Sequence, residues 1–128
     1  MKHLLEFANK YIEKHIPCGS RVTCNPPPTD TDRDWLVLAN DAVWLDFCNC
    51  MLAAGWEIGG SQIPDEANTC HPDHRFNSFV LGEDNIIATT SSVFFQRFEA
   101  ATAVSKRLNL LLKDDRIALF QAVLYGKF

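Results

Sequence analysis

The chain has no apolar run approaching the ~18 residues that a membrane-crossing helix needs, so no membrane association is expected. It opens Met1-Lys2-His3-Leu4-Leu5-Glu6, which turns charged too soon for a secretory leader. It has no excess of basic residues. The net charge is −4, which argues against non-specific binding to nucleic acid, because neutralising phosphates takes clustered Lys and Arg. No internal repeat, linker or low-complexity segment is present. Its five cysteines (Cys18, Cys24, Cys48, Cys50 and Cys70) are odd in number and follow no leader. These absences together predict a cytoplasmic protein with reduced thiols.

What is present is an ordinary globular composition, 47% apolar and 22% charged over 128 residues. That length suits one domain, residues 1–128, able to bury a core without disulfides. Leu4, Leu5, Ala8, Tyr11 and Ile12 recur at helical spacing and predict a helix over 2–15. Pro17 ends it, and a short apolar segment, 16–20, finishes in Gly19-Ser20. Pro26, Pro27 and Pro28 require a loop, since they supply no backbone donors. Trp35 to Leu38 are continuously apolar, which predicts a strand over 33–39 covered on both faces. Asn40 or Asp41 can cap a helix over 42–54, stopped by Gly55. A strand over 56–63, a surface loop over 64–75, and strands over 76–81 and 85–90 follow, the last two joined by Gly82-Glu83-Asp84. Ser91 or Ser92 caps a helix to about residue 108, with Phe94, Phe98, Ala101 and Leu108 near one face. A last helix spans 113–125, with Gly126 beyond it. The fold class is therefore α+β, a small mixed sheet with flanking helices.

Two features carry chemistry. Asp32 and Asp34 project from the same face of a strand, because side chains alternate along it. Two carboxylates that close stay ionised together only with a cation between them, and hard oxygen ligands select Mg²⁺ or Mn²⁺. Such a metal can bridge phosphates and neutralise charge on a leaving pyrophosphate. Ahead of them, Gly19 lets phosphates approach the backbone, Ser20 offers a hydroxyl, and Arg21 adds a charged donor.

The segment Cys18-Gly19-Ser20-Arg21, eleven residues (21–31), then Asp32-Arg33-Asp34-Trp35-Leu36-Val37-Leu38, resembles the signature of the DNA polymerase beta-like nucleotidyltransferase superfamily. It is most similar to the small single-domain members. The resemblance implies a nucleotidyltransferase-like fold. It also implies that Ser20 contacts the triphosphate of a bound nucleotide, ATP or another, and that Asp32 and Asp34 bind two divalent metals and serve catalysis. A third carboxylate on a neighbouring strand would help activate an attacking hydroxyl. The implied reaction moves a nucleoside monophosphate from a nucleoside triphosphate to a protein, RNA or small-molecule hydroxyl. A domain of this size lacks the second domain that many members use to hold nucleic acid, so a homo-oligomer or partner chain completing the site is also expected.

The sequence departs from that signature in places. Arg33 stands between the two acids, where an apolar residue is usual, and needs an exposed position or a partner. Asp30 offers an alternative pairing with Asp32, disfavoured because the apolar strand begins after Asp34. Neither later strand has an acid inside it, which leaves Asp73, Glu83 and Asp84 as candidates for the third carboxylate. Without one, the expected alternative is a catalytically degenerate module that binds a nucleotide or a partner protein. Of the basic residues Lys106, Arg107, Lys113 and Arg116, Lys113 is the best placed to reach phosphates, because it opens a helix. Cys70, His71 and His74 form an incomplete zinc set. Cys48 and Cys50, two apart on a helix, face different directions and suit packing.

Overall fold

The computed structural model describes residues 6–29, 33–59 and 76–125. After a 3-10 helix, Glu6–Tyr11, the chain runs through strand β1 (Ile12–Cys18), a one-turn helix α1 (Ser20–Thr23) and strand β2 (Arg33–Ala39). Helix α2 (Trp44–Ala53), short strand β3 (Glu57–Ile58), the hairpin β4 (Phe76–Leu81) and β5 (Asp84–Thr89), and helices α3 (Ser92–Leu108) and α4 (Lys113–Tyr125) complete it. The five strands form one sheet in the order β1-β2-β5-β4-β3. Among the described strands the central β2–β5 pair is parallel and the other three pairings are antiparallel. This is an α+β fold, a small mixed sheet flanked by helices.

Strand β2 is where the sequence pattern and the packing agree most closely. Val37 and Ala39 point to one face and join Phe47 and Met51 of α2, Phe79 of β4 and Ile86 of β5. Leu36 and Leu38 point to the other, against Phe94, Phe98 and Ala101 of α3 and Phe120 and Leu124 of α4. Both clusters are buried, so a strand apolar at every position is the physical requirement of a sheet covered twice. The Phe98 and Phe120 rings meet edge-on with centroids 4.9 Å apart, a favoured aromatic geometry.

The caps follow local chemistry. The Asn40 side chain accepts from the Ala42 amide at 2.9 Å and opens the turn into α2. Ser91 Oγ accepts from the Phe94 amide at 3.1 Å and starts α3, satisfying one of the donors a helix start leaves unpaired. Asn109, in the left-handed region at φ 51°, ends α3 and clasps Asn25: the Asn25 amide donates to Asn109 Oδ1 at 2.8 Å, and Asn109 Nδ2 donates to the Asn25 carbonyl at 3.0 Å.

Several expectations are corrected. The helix predicted over 2–15 is a 3-10 helix only to Tyr11, and Ile12–Cys18 is an edge strand. A register irregularity between Ile12 and Lys14 turns the strand. Tyr11 and Ile12 pack on the α2 side, whereas Ile16 and Cys18 pack on the α3 side. The strand predicted over 56–63 is two residues long within the described part. Asp84 belongs to β5, not to the connecting turn. Leu108, expected on the core face of α3, is 58% exposed; it is the last residue of the helix, next to the Asn109 cap. The loop over 64–75, with Cys70, His71, Asp73 and His74, lies outside the described residues, as do Asp30, Asp32 and Gly126.

Candidate functional site

The antiparallel register sets Cys18, the last residue of β1, beside Asp34, the second of β2. The chain leaves β1 through Gly19, at φ 79° and ψ −176°, a conformation open to glycine and strained for other residues. The Gly19 carbonyl accepts from the Val22 and Thr23 amides, at 3.0 and 3.1 Å, and so folds the chain back into α1. The Asp34 carboxyl group lies directly against the Cα of Gly19. A Cβ added there would sit 2.9 Å from Asp34 Cγ and 3.0 Å from its Cβ, and closer still to Oδ2. Gly19, Ser20 and Asp34, separated by a proline loop in the sequence, thus converge at one end of the central strands. Gly19, Ser20 and Asp34 are half-buried and Arg21 is exposed, so the cluster faces solvent on one side.

The parallel register places Asn85 on the other side of Asp34. Asn85 Nδ2 donates to Asp34 Oδ1 at 3.0 Å, and the Ser78 hydroxyl of β4 donates to Asn85 Oδ1 at 2.8 Å. A three-residue chain of hydrogen bonds therefore crosses β4, β5 and β2 on the face turned towards α3. Sequence reasoning did not single out Ser78 or Asn85. Their signal was two polar residues on the face that also carries Ile87 and Leu36.

Asp84 does not join Asp34. It pairs with Arg33 in the register, on the opposite face, and takes the guanidinium through two bonds, Nε to Oδ1 at 2.7 Å and Nη2 to Oδ2 at 3.1 Å. Arg33 thus has the partner its position required. The hydrogen bond and charge of Asp84 push the Arg33 pKa above its ordinary value. Glu83 is exposed in the turn, and its carbonyl accepts from the Arg33 amide at 2.8 Å.

Lys113 is exposed at the first position of α4. One turn on, Arg116 is buried, at 8% exposure. Its Nη1 donates to the Leu110 and Leu111 carbonyls, each at 2.9 Å, and approaches Cys24 Sγ at 3.3 Å. Arg116 ties the start of α4 to the end of α1. Trp35 packs against the α2-side core, as its position in the strand requires. Cys48 is buried and accepts from Asn77 Nδ2 at 3.3 Å, and Cys50 is half-buried. None of the four described cysteines is in a disulfide.

Asp34 offers the hard carboxylate oxygens that Mg²⁺ or Mn²⁺ takes. Asn85 turns a donor, not an acceptor, towards it. The described side chains beside the Gly19 turn therefore supply one carboxylate, which suits a share in a single cation and falls short of a two-metal set. Among the described residues, no three His, Cys, Asp or Glu side chains gather where they would hold a metal ion. Nor, among them, is any helix long and apolar enough to cross a membrane. Compared with protein-family models, with curated proteins and with solved structures, the chain matches none of them.

Proposed function

We propose that the domain holds a nucleoside triphosphate at the Gly19-Ser20 turn and Asp34, in the manner of a nucleotidyltransferase. One observation carries this reading: Asp34 is seated against the bare Cα of Gly19, so that a turn without a side chain and a carboxylate share one solvent-facing corner. In this reading the turn receives the phosphates, Ser20 donates its hydroxyl to them, and Arg21 and Lys113 supply positive charge. Asp34, with Asp32, would hold Mg²⁺ or Mn²⁺, and the ion would supply positive charge to offset that of the phosphates. The reaction is transfer of a nucleoside monophosphate to a hydroxyl of a protein, RNA or small molecule. The acceptor oxygen bonds to the α-phosphorus as the bond to pyrophosphate breaks, and the acceptor hydroxyl gives up its proton to solvent. We place the protein in the cytoplasm, in keeping with four described cysteines that form no disulfide, and a second copy or a partner chain would complete the acceptor side.

A second reading is favoured by Asn85. The position beside Asp34 carries an amide, and Asp84 is committed to Arg33 on the other face. A site built this way binds a nucleotide or a partner protein without turnover. Calorimetric titration with ATP, GTP, CTP and UTP, with and without Mg²⁺, tests both readings. Binding of any one that is lost in Asp34→Asn supports the site. Pyrophosphate release in the presence of acceptors then separates transfer from binding alone. No binding at millimolar nucleotide would defeat both nucleotide readings.

A further inference from the structure

We infer that Asn85, locked in orientation by Ser78, is a positioning residue that sets how strongly Asp34 takes a divalent cation. The inference rests on the reading that Asp34 is a site residue. Neighbouring strands lie about 4.8 Å apart, and Asp34 and Asn85 are direct partners in the parallel pair. The amide of Asn85 can face Asp34 with its nitrogen or with its oxygen. An ionised carboxylate only accepts hydrogen bonds, so the nitrogen must face it, and the 3.0 Å separation is that of a hydrogen bond. The amide oxygen then points to Ser78, whose hydroxyl donates to it at 2.8 Å. Ser78 is buried at 8% exposure, so its hydroxyl has little access to water as an alternative partner. The direction of the whole chain is thus fixed from β4 through β5 to β2.

That direction has a consequence for cations. An N–H group occupies the approach to Asp34 Oδ1 from the β5 side. A metal ion arriving there must displace it and turn the amide over; Ser78 Oγ can then accept from the amide nitrogen, but the buried Ser78 hydroxyl loses the acceptor for its own proton. The amide also delivers the positive end of a dipole to the carboxylate, which lessens the carboxylate's need for a cation. Asn85 therefore weakens cation binding at Asp34 in two ways, by occupying a lone pair and by partly meeting the charge. An acid at the same position would reverse both, because two adjacent carboxylates repel unless a cation lies between them.

The test uses Mn²⁺ alone as the probe, with the full chain and no nucleotide, its binding read by electron paramagnetic resonance of the unbound ion. Asn85→Asp should bind Mn²⁺ more tightly than the wild type by about 10-fold or more, in the range over which groups around a metal site change affinity. Ser78→Ala, which frees the amide to turn its oxygen outward, should also gain, by a few-fold. The Asn85→Asp gain should vanish when Asp34→Asn is added. An Asn85→Asp protein no tighter than wild type, or a gain that survives Asp34→Asn, overturns the inference. Circular dichroism checks folding. Should Asn85→Asp fail to fold, Ser78→Ala decides alone, and unchanged or weakened Mn²⁺ binding in that variant overturns the inference. Titrating ATP into the same proteins keeps the two readings apart. A gain in Mn²⁺ affinity without ATP binding sinks the nucleotide reading and spares this one, and ATP binding without the gain does the reverse.

Discussion

Gly19→Ala places one methyl group where the backbone and Asp34 both oppose it. The backbone stands at φ 79° and ψ −176°, a region essentially restricted to glycine, where another residue costs about 1–3 kcal/mol. The new Cβ would also press on Asp34, at 2.9 Å from Cγ and 3.0 Å from Cβ. Relieving that contact pushes Asp34 towards Asn85, on its other side, and distorts a 3.0 Å hydrogen bond, adding about 1 kcal/mol. The total is about 2–4 kcal/mol, a large part of the ~5–15 kcal/mol by which domains are stable. Gly82, in the β4–β5 turn, is the internal control. It too has a positive φ, 60°, but nothing lies within 4 Å of the Cβ it would gain. Gly82→Ala should therefore cost only the conformational part, about 1–2 kcal/mol. Urea unfolding of both variants measures the difference. A double-mutant cycle with Asp34→Ala isolates the contact: the Gly19→Ala penalty should shrink by about 1 kcal/mol when the carboxyl group is gone. Equal penalties at Gly19 and Gly82, or a cycle with no coupling, would refute the claim that the turn and the acid are built against each other.

Other outcomes follow from the same structure. Arg116→Ala removes a buried donor from the Leu110 and Leu111 carbonyls and leaves a cavity beside Cys24. It should cost about 2–4 kcal/mol in chemical denaturation, although the residue lies outside the proposed site. Ser91→Ala deletes the cap on α3 and should cost about 1 kcal/mol, read as a lower thermal midpoint with nucleotide binding unchanged. Arg33 has its pKa raised by the hydrogen bond and charge of Asp84. The stability it contributes is fully present below its unfolded pKa and is lost only as pH rises through the still higher folded value. Between pH 6 and 9, melting curves of wild type and Arg33→Gln should therefore run parallel, and curves that converge within that window would contradict the assignment.

The parts of the fold that were legible in the sequence are those where one rule governs. Strand β2 is apolar at consecutive positions because both of its faces are covered, and helix α4 buries Phe120 and Leu124, one turn apart, in the same core. Strand β1 was not legible, because its register irregularity sends Ile12 to one core and Ile16 and Cys18 to the other. That break destroys the period of two and leaves a spacing that mimics a helix. The site was half legible. Gly19, Ser20 and Asp34 lie close enough in the chain to be read as one motif. The partners that define their chemistry do not. Asn85 stands 51 residues from Asp34, and Asp84 stands 51 residues from Arg33, and only the parallel pairing of β2 with β5 brings each pair together. No local pattern marks Arg116 as buried, since its partners are carbonyl groups and a thiol brought in by tertiary packing.

The central claim is that a nucleotide sits at the corner shared by Gly19, Ser20 and Asp34, and amide chemical-shift mapping tests it most directly. Spectra of ¹⁵N-labelled protein would be recorded as ATP is added in the presence of Mg²⁺. The account predicts that the largest shifts fall on Gly19, Ser20, Arg21, Asp34 and Asn85, and that they disappear in Asp34→Asn. Shifts confined to the exposed leucines at the α3–α4 connection, Leu108, Leu111 and Leu112, or no shifts at millimolar ATP, would contradict it.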